Sequence, residues 1–252
     1  MHKYVLITGA TAGFGEACAE LFAKNGWSLV LTGRRADRLL ELKNRLASDQ
    51  IDVHTLNFDV RSEEACKTAI ESLPAEIKNN LVILINNAGL AVGRGPVDTA
   101  VTDDWERMID TNIKGLLYVS KYVIPILKAN QSGHIVNLGS IAGKEVYAGG
   151  NVYCATKHAV DALSRSMRID LVDFGIKVTN IAPGAAETEF SMVRFKGDEQ
   201  TANSVYQGYD ALQAEDVADA IYYACSRPKH VTINDMVIMP TAQASSTVFH
   251  KV

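Results

Sequence analysis

Tyr153 and Lys157 lie four residues apart in the stretch NVYCATKHAV, residues 151–160. On a helix, this spacing places both side chains on one face, one turn apart. A tyrosine hydroxyl has an ordinary pKa of about 10, so it acts as a base at neutral pH only when its anion is stabilised by roughly 4 kcal/mol. One ammonium group about 4 Å from the oxygen contributes on the order of that energy. The pair therefore predicts acid–base chemistry on a hydroxyl or carbonyl group.

Two further polar residues could serve the same reaction. Ser140 ends the apolar run HIVNLGS and could hydrogen-bond the reacting oxygen, whereas Asn112, within DTNIKG, could hold a water that relays protons outward. Taken singly, each residue is more often structural, and a Tyr-Lys pair at this spacing is more often a solvated helix face. Their joint order along the chain with a glycine-rich loop favours the catalytic interpretation.

That loop, TGATAGFGE at residues 8–16, follows the first apolar run and opens the first helical pattern. Glycine permits positive φ and close approach of the backbone, and a helix N-terminus presents free N–H groups to a phosphate. We interpret the loop as the pyrophosphate site of a dinucleotide, although three glycines could also form a plain strand-to-helix turn. The candidate cofactor contacts here are Gly9, Thr11, Ala12, Gly13, Phe14 and Gly15.

The second apolar run ends in LTGRR, where an NAD-binding protein usually carries an acidic residue for the ribose 2′-hydroxyl. Arg34 and Arg35 could instead form charge-assisted hydrogen bonds to a 2′-phosphate, so NADP is the predicted cofactor. The alternative is a solvated basic turn that pairs with Asp37 or Glu41. Asp59, after the third apolar run, could contact the adenine edge or simply cap its loop.

Short apolar runs that alternate with helical patterns predict the elements that position these residues. The runs lie at 4–8, 28–32, 52–58, 81–86, 134–139, 177–182 and 236–240. Most lack the strict alternation of half-exposed strands, which is typical of parallel strands covered by helices on both faces. Helices are predicted at 14–22 and 38–46, with Ser62 and Thr102 as N-caps of two others. We therefore expect one α/β domain over 1–252, a doubly wound, mostly parallel Rossmann sheet of about seven strands.

The composition narrows the class of ligand. The chain has 252 residues, 47% of them apolar, and a formal net charge of −4, which argues against nucleic acid as a partner. The start lacks the pattern of a signal peptide, and no stretch has about 18 uninterrupted apolar residues, so we expect a cytoplasmic protein without a membrane partner. The four cysteines form no CxxC pair, so neither a disulfide framework nor a metal site is predicted.

The order of these motifs resembles that of the classical short-chain dehydrogenase/reductase family over essentially the whole chain. The family's motifs stand here as TGATAGFG (8–15), NNAG (86–89), Asn112, Ser140, Tyr153 with Lys157, and Pro183-Gly184. The resemblance implies a catalytic tetrad of Asn112, Ser140, Tyr153 and Lys157. It also implies that Ser140 and Tyr153 contact the substrate, and that Tyr153 and Lys157 contact the cofactor, with Lys157 at the nicotinamide ribose.

The resemblance further implies where the rest of the cofactor lies. Beyond the glycine-rich loop and the two arginines, the implied cofactor contacts are Asp59, Val60, Asn87, Ala88, Gly89, Pro183, Gly184 and Thr188. After Pro183-Gly184 the chain reads AAETEF, one residue shorter than similar proteins lead us to expect, which predicts that Glu187 lies near the cofactor phosphates. Family members are often tetramers, so we expect a homotetramer, with the tail at 241–252 crossing between subunits.

Several stretches point to one class of substrate. TGATAGFGE, TGRR, NNAGLAVG, YAGGNVY and TEFSMVRFKGD are similar to those of bacterial NADP-dependent 3-hydroxy acid dehydrogenases, which act on serine, L-allo-threonine and related acids. The resemblance implies hydride transfer between NADP and the β-hydroxyl of a 3-hydroxy acid such as these or 3-hydroxypropionate. The irregular stretch 188–208 is the predicted substrate lid. Within it, Arg194 is the predicted bidentate partner of the substrate carboxylate, with a surface salt bridge as the alternative.

Two other functions remain open at this level. A 3-oxoacyl thioester reductase or general carbonyl reductase would use the same tetrad, although the last run, NDMVIMPTAQ, lacks the Asp-Gly-Gly ending usual in thioester reductases. A non-catalytic NADP(H) sensor or scaffold would keep the fold. Such a protein has no need of the Ser140, Tyr153 and Lys157 side chains, so turnover of any alcohol would exclude it.

Overall fold

The core of the molecule is one parallel sheet. The computed structural model describes residues 3–252, apart from the side chain of Asn203. Its strands are β1 Tyr4–Thr8, β2 Ser28–Gly33, β3 Val53–Asn57, β4 Leu81–Asn86, β5 Gly133–Leu138, β6 Ile176–Pro183 and β7 Asp235–Ile238. In the described chain these seven strands lie in the order β3-β2-β1-β4-β5-β6-β7. The order reverses between β1 and β4, which opens a crevice at the carboxyl ends of the strands, where open α/β sheets bind ligands.

Helices cover both faces of this sheet. Within residues 3–252 they are α1 Gly13–Lys24, α2 Ala36–Leu46, α3 Glu63–Glu71, α4 Ala75–Asn80, α5 Thr102–Ile109, α6 Leu116–Ala129, α7 Asn151–Leu171, α8 Glu189–Arg194, α9 Glu199–Ser204 and α10 Ala214–Cys225. Successive strand residues face opposite layers: Ile7 and Ile85 pack with α1 and α10, whereas Leu6 and Leu84 pack with α3 and α6. The doubly wound Rossmann architecture is therefore confirmed.

The predicted strands agree with the observed ones, and each observed end lies within two residues of its predicted end. The N-cap at Ser62 is confirmed, because its hydroxyl accepts a hydrogen bond from the Ala65 N–H at 3.2 Å. The N-cap at Thr102 is wrong. Thr102 is already the first residue of α5, and the Val101 carbonyl closes the first turn by accepting from the Asp104 N–H at 3.1 Å.

The stretch 188–208 is less irregular than predicted, because it contains both α8 and α9. Thr188 caps α8, and its hydroxyl accepts from the Phe190 N–H at 3.2 Å. Each helix has only six residues, which is too short for a hydrophobic period to stand out in the sequence.

The carboxyl-terminal tail folds back onto the same chain. The Phe249 ring lies 5.1 Å from the ring of Tyr209, and the Val252 N–H donates to the Gly208 carbonyl at 2.9 Å. Buried Gln243 accepts a hydrogen bond from the Ala185 N–H at 2.8 Å. These contacts anchor the tail on its own chain, and its crossing between subunits stays a prediction.

Three further features of the described chain concern membrane-spanning helices, metal-binding groups and disulfides. No helix of the described chain is both long and apolar enough to traverse a bilayer. Residues 3–252 hold no group of three or more His, Cys, Asp or Glu side chains arranged to bind a metal ion. All four cysteines are free thiols.

Candidate functional site

A cleft of about 1380 Å³ lies at the carboxyl ends of the strands, beside the point where the strand order reverses. Its volume exceeds that of a typical site for one small ligand, so it can accommodate a dinucleotide and a substrate together. The predicted site residues that line it are Gly9, Thr11, Ala12, Gly13, Phe14, Arg34, Arg35, Asp59, Val60, Asn87, Ala88, Gly89, Ser140, Tyr153, Lys157, Pro183, Gly184, Thr188 and Arg194. Gly15 and Asn112 are not part of this lining, although both support it from behind.

The glycine-rich loop has the backbone that a bound pyrophosphate requires. Gly9 and Gly13 adopt φ values of +65° and +53°, in the left-handed region that favours glycine. Gly15 serves packing: a Cβ there would lie 2.3 Å from the Gly9 carbonyl oxygen and 2.5 Å from Nδ2 of Asn87. Asn87 also donates from Nδ2 to the carbonyls of Thr8 and Gly9, at 2.9 and 3.1 Å. The loop is therefore held in place at the N-terminus of α1, where free N–H groups can bind a phosphate.

Arginines at the end of β2 form the cationic part of the cleft. Arg35 is fixed by two hydrogen bonds to Thr11, from Nε to Oγ1 at 3.0 Å and from Nη2 to the carbonyl oxygen at 2.9 Å. Its Nη1 reaches the carboxylate of Glu189 at 3.1 Å, and Nη1 of Arg38 reaches the same carboxylate at 2.8 Å. The partner of Arg35 is thus Glu189 on α8, whereas Arg34 lies 3.9 Å from the Asp59 carboxylate. The alternative pairing with Asp37 or Glu41 is wrong.

Asp59 caps its own loop. Its carboxylate accepts from Nε and Nη2 of Arg61 at 2.9 and 2.7 Å, and its carbonyl accepts from the Ser62 N–H at 3.1 Å. Partial burial would raise the pKa of Asp59, but the hydrogen bonds from Arg61 and the charge of Arg34 lower it overall. Asp59 lines the cleft as well, so the capping role accounts for its position without excluding a contact to adenine.

Glu187 does not lie where the short AAETEF stretch predicts. Its side chain is exposed and does not line the cleft, and its N–H donates to the Leu212 carbonyl at 2.8 Å. The acidic residue that faces the arginines is Glu189, two residues later. The predicted position of Glu187 is therefore wrong, and the acidic residue at the arginines is the one two positions later in the chain.

Asn112 lies in a π-helical segment, Asp110–Gly115, between α5 and α6. Its Oδ1 accepts from the Leu90 N–H at 2.8 Å, and its Nδ2 donates to the Leu90 carbonyl at 2.8 Å and to Oγ1 of Thr156 at 3.0 Å. The buried amide thus ties the loop after β4 to helix α7. π-Helical turns occur often at functional sites, and a sequence carries no periodic signal for them.

Lys157 is a buried cation in the wall of the cleft. Its Nζ donates to the Leu138 carbonyl at 2.7 Å and lies 5.9 Å from the centre of the Tyr153 ring. Burial lowers the pKa of Lys157 to about 8. This lysine therefore loses its proton at a lower pH than an ordinary lysine does.

Tyr153 is buried on the same face of α7. Burial raises the pKa of its phenol well above the ordinary value, and the Ser140 hydroxyl and the Arg194 guanidinium act in the opposite direction. Burial outweighs the nearby charges in this balance, and activation of Tyr153 by Lys157 together with the nicotinamide stays a prediction. The neutral phenol is the form that the folded chain favours.

Ser140 lies at the end of β5 and begins a short 3-10 turn, Ile141–Gly143. Its Oγ accepts from the Ala142 N–H at 3.1 Å and makes only a long hydrogen bond, 3.5 Å, to the Pro183 carbonyl. A donor this weakly engaged can turn to a ligand oxygen. Ser140 is thus placed to act on the same oxygen as Tyr153.

Arg194, at the end of α8, enters the cleft above the catalytic residues. Its guanidinium carbon lies 5.5 Å from the Tyr153 ring centre and 5.3 Å from that of Tyr147, and its Nη2 donates to the Tyr147 hydroxyl at 2.9 Å. Within the described residues Arg194 makes no ion pair, and its buried Nε has no hydrogen-bond partner. The surface salt bridge belongs instead to Lys196, whose Nζ lies 2.8 Å from the buried carboxylate of Asp104.

Among the polar residues that sequence reasoning misses are Asp104, Tyr147 and Glu189, which line the cleft, and Arg38, which pairs with Glu189 beside it. Arg38 carries a usable signal, because it follows Arg35 by three residues and so shares its helix face. Glu189 carries none, since only the tertiary fold brings it to Arg35, 154 residues earlier in the chain. The structure thus supplies the long-range partners that spacing alone leaves out.

Comparison with known proteins places this geometry among related chains. The sequence pattern of the short chain dehydrogenase family matches residues 3–199. Sulfoacetaldehyde reductase 2 of Chromohalobacter salexigens is 48% identical over 247 residues, which cover 98% of this chain and 97% of that one. An NADP-dependent 3-hydroxy acid dehydrogenase of Escherichia coli is 47% identical over 241 residues, covering 95% and 96%. A closed form of serine dehydrogenase complexed with NADP+ superposes with a TM-score of 0.92 at 46% identity, covering 99% of both chains.

Proposed function

Because the chain belongs to the short-chain dehydrogenase family, we propose that it is an enzyme that transfers a hydride between NADP and the β-hydroxyl of a 3-hydroxy acid. Substrates of this class include serine, L-allo-threonine and 3-hydroxypropionate. The observation that carries the proposal is the guanidinium of Arg194, which lies beside Tyr153 without an ion-pair partner among the described residues. A 3-hydroxy acid has its hydroxyl two carbons from its carboxylate, so one small molecule can reach both side chains.

The cleft residues fit an NADP cofactor. The glycine-rich loop and the N-terminus of α1 would hold its pyrophosphate, and Arg35 with Arg34 would bind its 2′-phosphate. The lining residues Asn87, Gly89, Pro183 and Thr188 would flank the ribose and nicotinamide. When bound, the nicotinamide supplies the carbon that accepts or donates the hydride.

Tyr153 is the proposed general acid and base. In oxidation its oxygen takes the proton of the substrate hydroxyl, and in reduction it returns a proton to the carbonyl oxygen. Ser140 donates a hydrogen bond to that same oxygen. Because burial favours the neutral phenol, the chain alone is set for carbonyl reduction at neutral pH, and oxidation is expected to rise toward alkaline pH. Lys157 and Asn112 complete the proposed tetrad, with Asn112 anchoring the loop after β4.

Arg194 is the proposed partner of the substrate anion. Its free Nε and its Nη atoms can form two parallel hydrogen bonds to a carboxylate, while Tyr147 holds the guanidinium in place. A partly buried guanidinium whose buried Nε has no hydrogen-bond partner is unfavourable, which is the physical reason to expect an anionic ligand here. A 3-oxoacyl thioester would bring an uncharged carbonyl to this position, so the free guanidinium favours the acid over the thioester.

A sulfonate substrate is the second candidate, because one similar protein is named a sulfoacetaldehyde reductase. In sulfoacetaldehyde the sulfur lies two bonds from the aldehyde carbon, as the carboxylate carbon does from the carbonyl carbon of a 3-oxo acid. A guanidinium can pair with either anion. The sulfonate and the carboxylate therefore compete as the physiological substrate, and direct comparison of the two decides between them.

We further propose that the single domain over residues 1–252 uses 188–208 as a lid. Arg194, Phe190 and Glu189 all reach the cleft from this segment, and the Arg194 carbonyl accepts from the Gly93 N–H at 3.0 Å. The working unit is proposed to be a cytoplasmic homotetramer. Free cysteines are typical of that reducing compartment.

The test measures absorbance at 340 nm with NADP or NAD and with 3-hydroxypropionate, L-serine, L-allo-threonine or isethionate. An uncharged alcohol, 1,3-propanediol, is the matched control substrate. Arg194→Ala is expected to raise KM for the acids about 10- to 100-fold, the effect of losing a charged hydrogen bond, with little change for the diol. An unchanged KM for the acids, or equal losses on both substrates, would contradict the role of Arg194. If no acid changes the absorbance but thioesters or simple ketones are reduced, the proposed substrate class is wrong.

A further inference from the structure

An internal carboxylate lies in the cationic part of the cleft. The two oxygens of Glu189 accept from Nη1 of Arg35 at 3.1 Å and Nη1 of Arg38 at 2.8 Å. One guanidinium thus binds each oxygen, the arrangement that two arginines would offer to an anion from solution. The side chains are about half exposed, so a ligand anion can reach the same donors.

Neighbouring residues hold both the arginine and the glutamate in these positions. Thr11 fixes Arg35 through Nε and Nη2, which leaves Nη1 as the part of the guanidinium directed at Glu189. Glu189 itself is the first residue of α8, directly after the capping Thr188, which lies against Gly13 of the glycine-rich loop. The carboxylate is therefore carried to the arginines by the proposed lid.

We propose that Glu189 is a specificity-determining residue that competes with the 2′-phosphate of the cofactor for Arg35 and Arg38. The inference rests on the proposed use of NADP. A 2′-phosphate bound at these guanidinium groups would repel the Glu189 carboxylate and compete with it for Nη1 of Arg35 and of Arg38, so binding of NADP would loosen the two ion pairs. NAD carries a 2′-hydroxyl and makes no such demand, so Glu189 reduces the preference of the enzyme for NADP over NAD.

The same exchange acts on the substrate side. Helix α8 begins at Glu189 and ends at Arg194, so loosening its first residue changes the anchoring of the helix that carries the proposed substrate arginine. Any effect of this anchoring on binding affinity is the same for NADP and for NAD. The ratio of the dissociation constants for NAD and NADP cancels it and isolates the competition for the arginines.

The experiment compares Glu189→Gln with Glu187→Gln. Both variants remove one negative charge from the same segment, but Glu187 is exposed and does not line the cleft. Dissociation constants for NADP and NAD are measured by titration calorimetry on the full chain at about 20 mM and 500 mM salt. Each exposed ion pair corresponds to about a 1.5- to 5-fold change in affinity, so Glu189→Gln should raise the NAD/NADP ratio about fivefold at low salt and less at high salt. Glu187→Gln should leave the ratio within about twofold of wild type.

Three outcomes separate this inference from the proposed function. A ratio that rises in Glu189→Gln alone supports the competition. A ratio that is unchanged, or that falls because the carboxylate instead orients the arginines, overturns it. The Arg35→Gln variant and the wild type test the proposed function: if the wild type shows no preference for NADP and Arg35→Gln changes neither affinity, the phosphate site itself is wrong, whatever Glu189 does.

Discussion

At the scale of single residues, the ammonium group of Lys157 lies in a buried environment that is unusual for its type. Its pKa falls to about 8 because burial disfavours the charged form, while one carbonyl accepts its hydrogen bond. A cation kept in such a place opposes folding near neutral pH. The catalytic cleft is therefore maintained at the expense of stability.

The first prediction concerns how the destabilisation of the folded chain by Lys157 depends on pH. Between about pH 8 and pH 10.5 the folded chain holds Lys157 neutral while the unfolded chain still binds its proton, so unfolding takes up a proton and stability rises with pH. Above pH 10.5 Lys157 no longer destabilises the folded chain, and below pH 8 its destabilising effect is fully present. The free energy of unfolding of the wild type, relative to Lys157→Met, should rise by up to about 3 kcal/mol across this window.

Urea unfolding of both proteins at several pH values provides the measurement. The methionine variant is the reference, since it shares every other titrating group and fills a similar volume. A difference in unfolding free energy that stays flat from pH 8 to pH 10.5 would show that Lys157 titrates normally in the folded chain.

The types and order of the chemical residues are predictable from the sequence, but their energies are not. The spacing of Tyr153 and Lys157 places them on one face of α7, as predicted. Whether the lysine activates the tyrosine depends on burial and on Ser140 and Arg194, which only the assembled fold brings near. Likewise, spacing cannot show that Lys196 pairs with Asp104 and leaves Arg194 free.

At the scale of elements, the packing between the glycine-rich loop and α1 leaves no room for a side chain at Gly15. A methyl group there would meet the Gly9 carbonyl and the Asn87 amide at distances below contact. Gly15→Ala should therefore lower the free energy of unfolding by about 1–3 kcal/mol, the usual result of overpacking, and weaken binding of NADP. Thermal unfolding and cofactor titration measure the two effects.

Gly95→Ala is the matched control for that substitution. A methyl group added at Gly95 would meet no described atom within 4 Å, and the φ of Gly95 is not positive, so the same change should have little effect on stability. If the two variants unfold alike, the close approach at Gly15 does not constrain the loop.

Regular elements are predictable because their signals repeat along several residues, as in the apolar runs of the strands. Elements without a repeating signal are not. The π-helical segment at Asp110–Gly115 and the six-residue helices α8 and α9 are fixed by tertiary contacts, such as the bonds of Asn112 to Leu90. Those contacts come from parts of the chain that no local window includes.

At the scale of the whole molecule, exposed apolar side chains include those at the end of α7 and on the edge strand β7. Ile169 is 77% exposed and Val172 66%, near the end of α7, and Val237 is 48% exposed on β7 at the edge of the sheet. An edge strand with apolar residues is a natural place for another chain to pack. These surfaces support the proposed homotetramer.

Light scattering coupled to size-exclusion chromatography should give a mass four times that of one chain. Val237→Lys places a charge on the edge strand and should shift the protein to a smaller species, whereas Lys3→Arg, which keeps the charge of an exposed residue, should not. A wild-type mass equal to one chain would rule out the tetramer. An unchanged assembly in Val237→Lys would remove β7 from the interface.

Because the tail folds back over the cleft, the parts of the cleft are made at different times during synthesis. Synthesis proceeds from the amino end, and β1 can take its place beside β4 only after residue 86 has been made. The four proposed catalytic residues are all present by residue 157, yet Gln243 and Phe249, which line the cleft, are made much later. A growing chain therefore contains all its reactive groups long before it contains a complete site, and the cleft is finished only after residue 249 has been made.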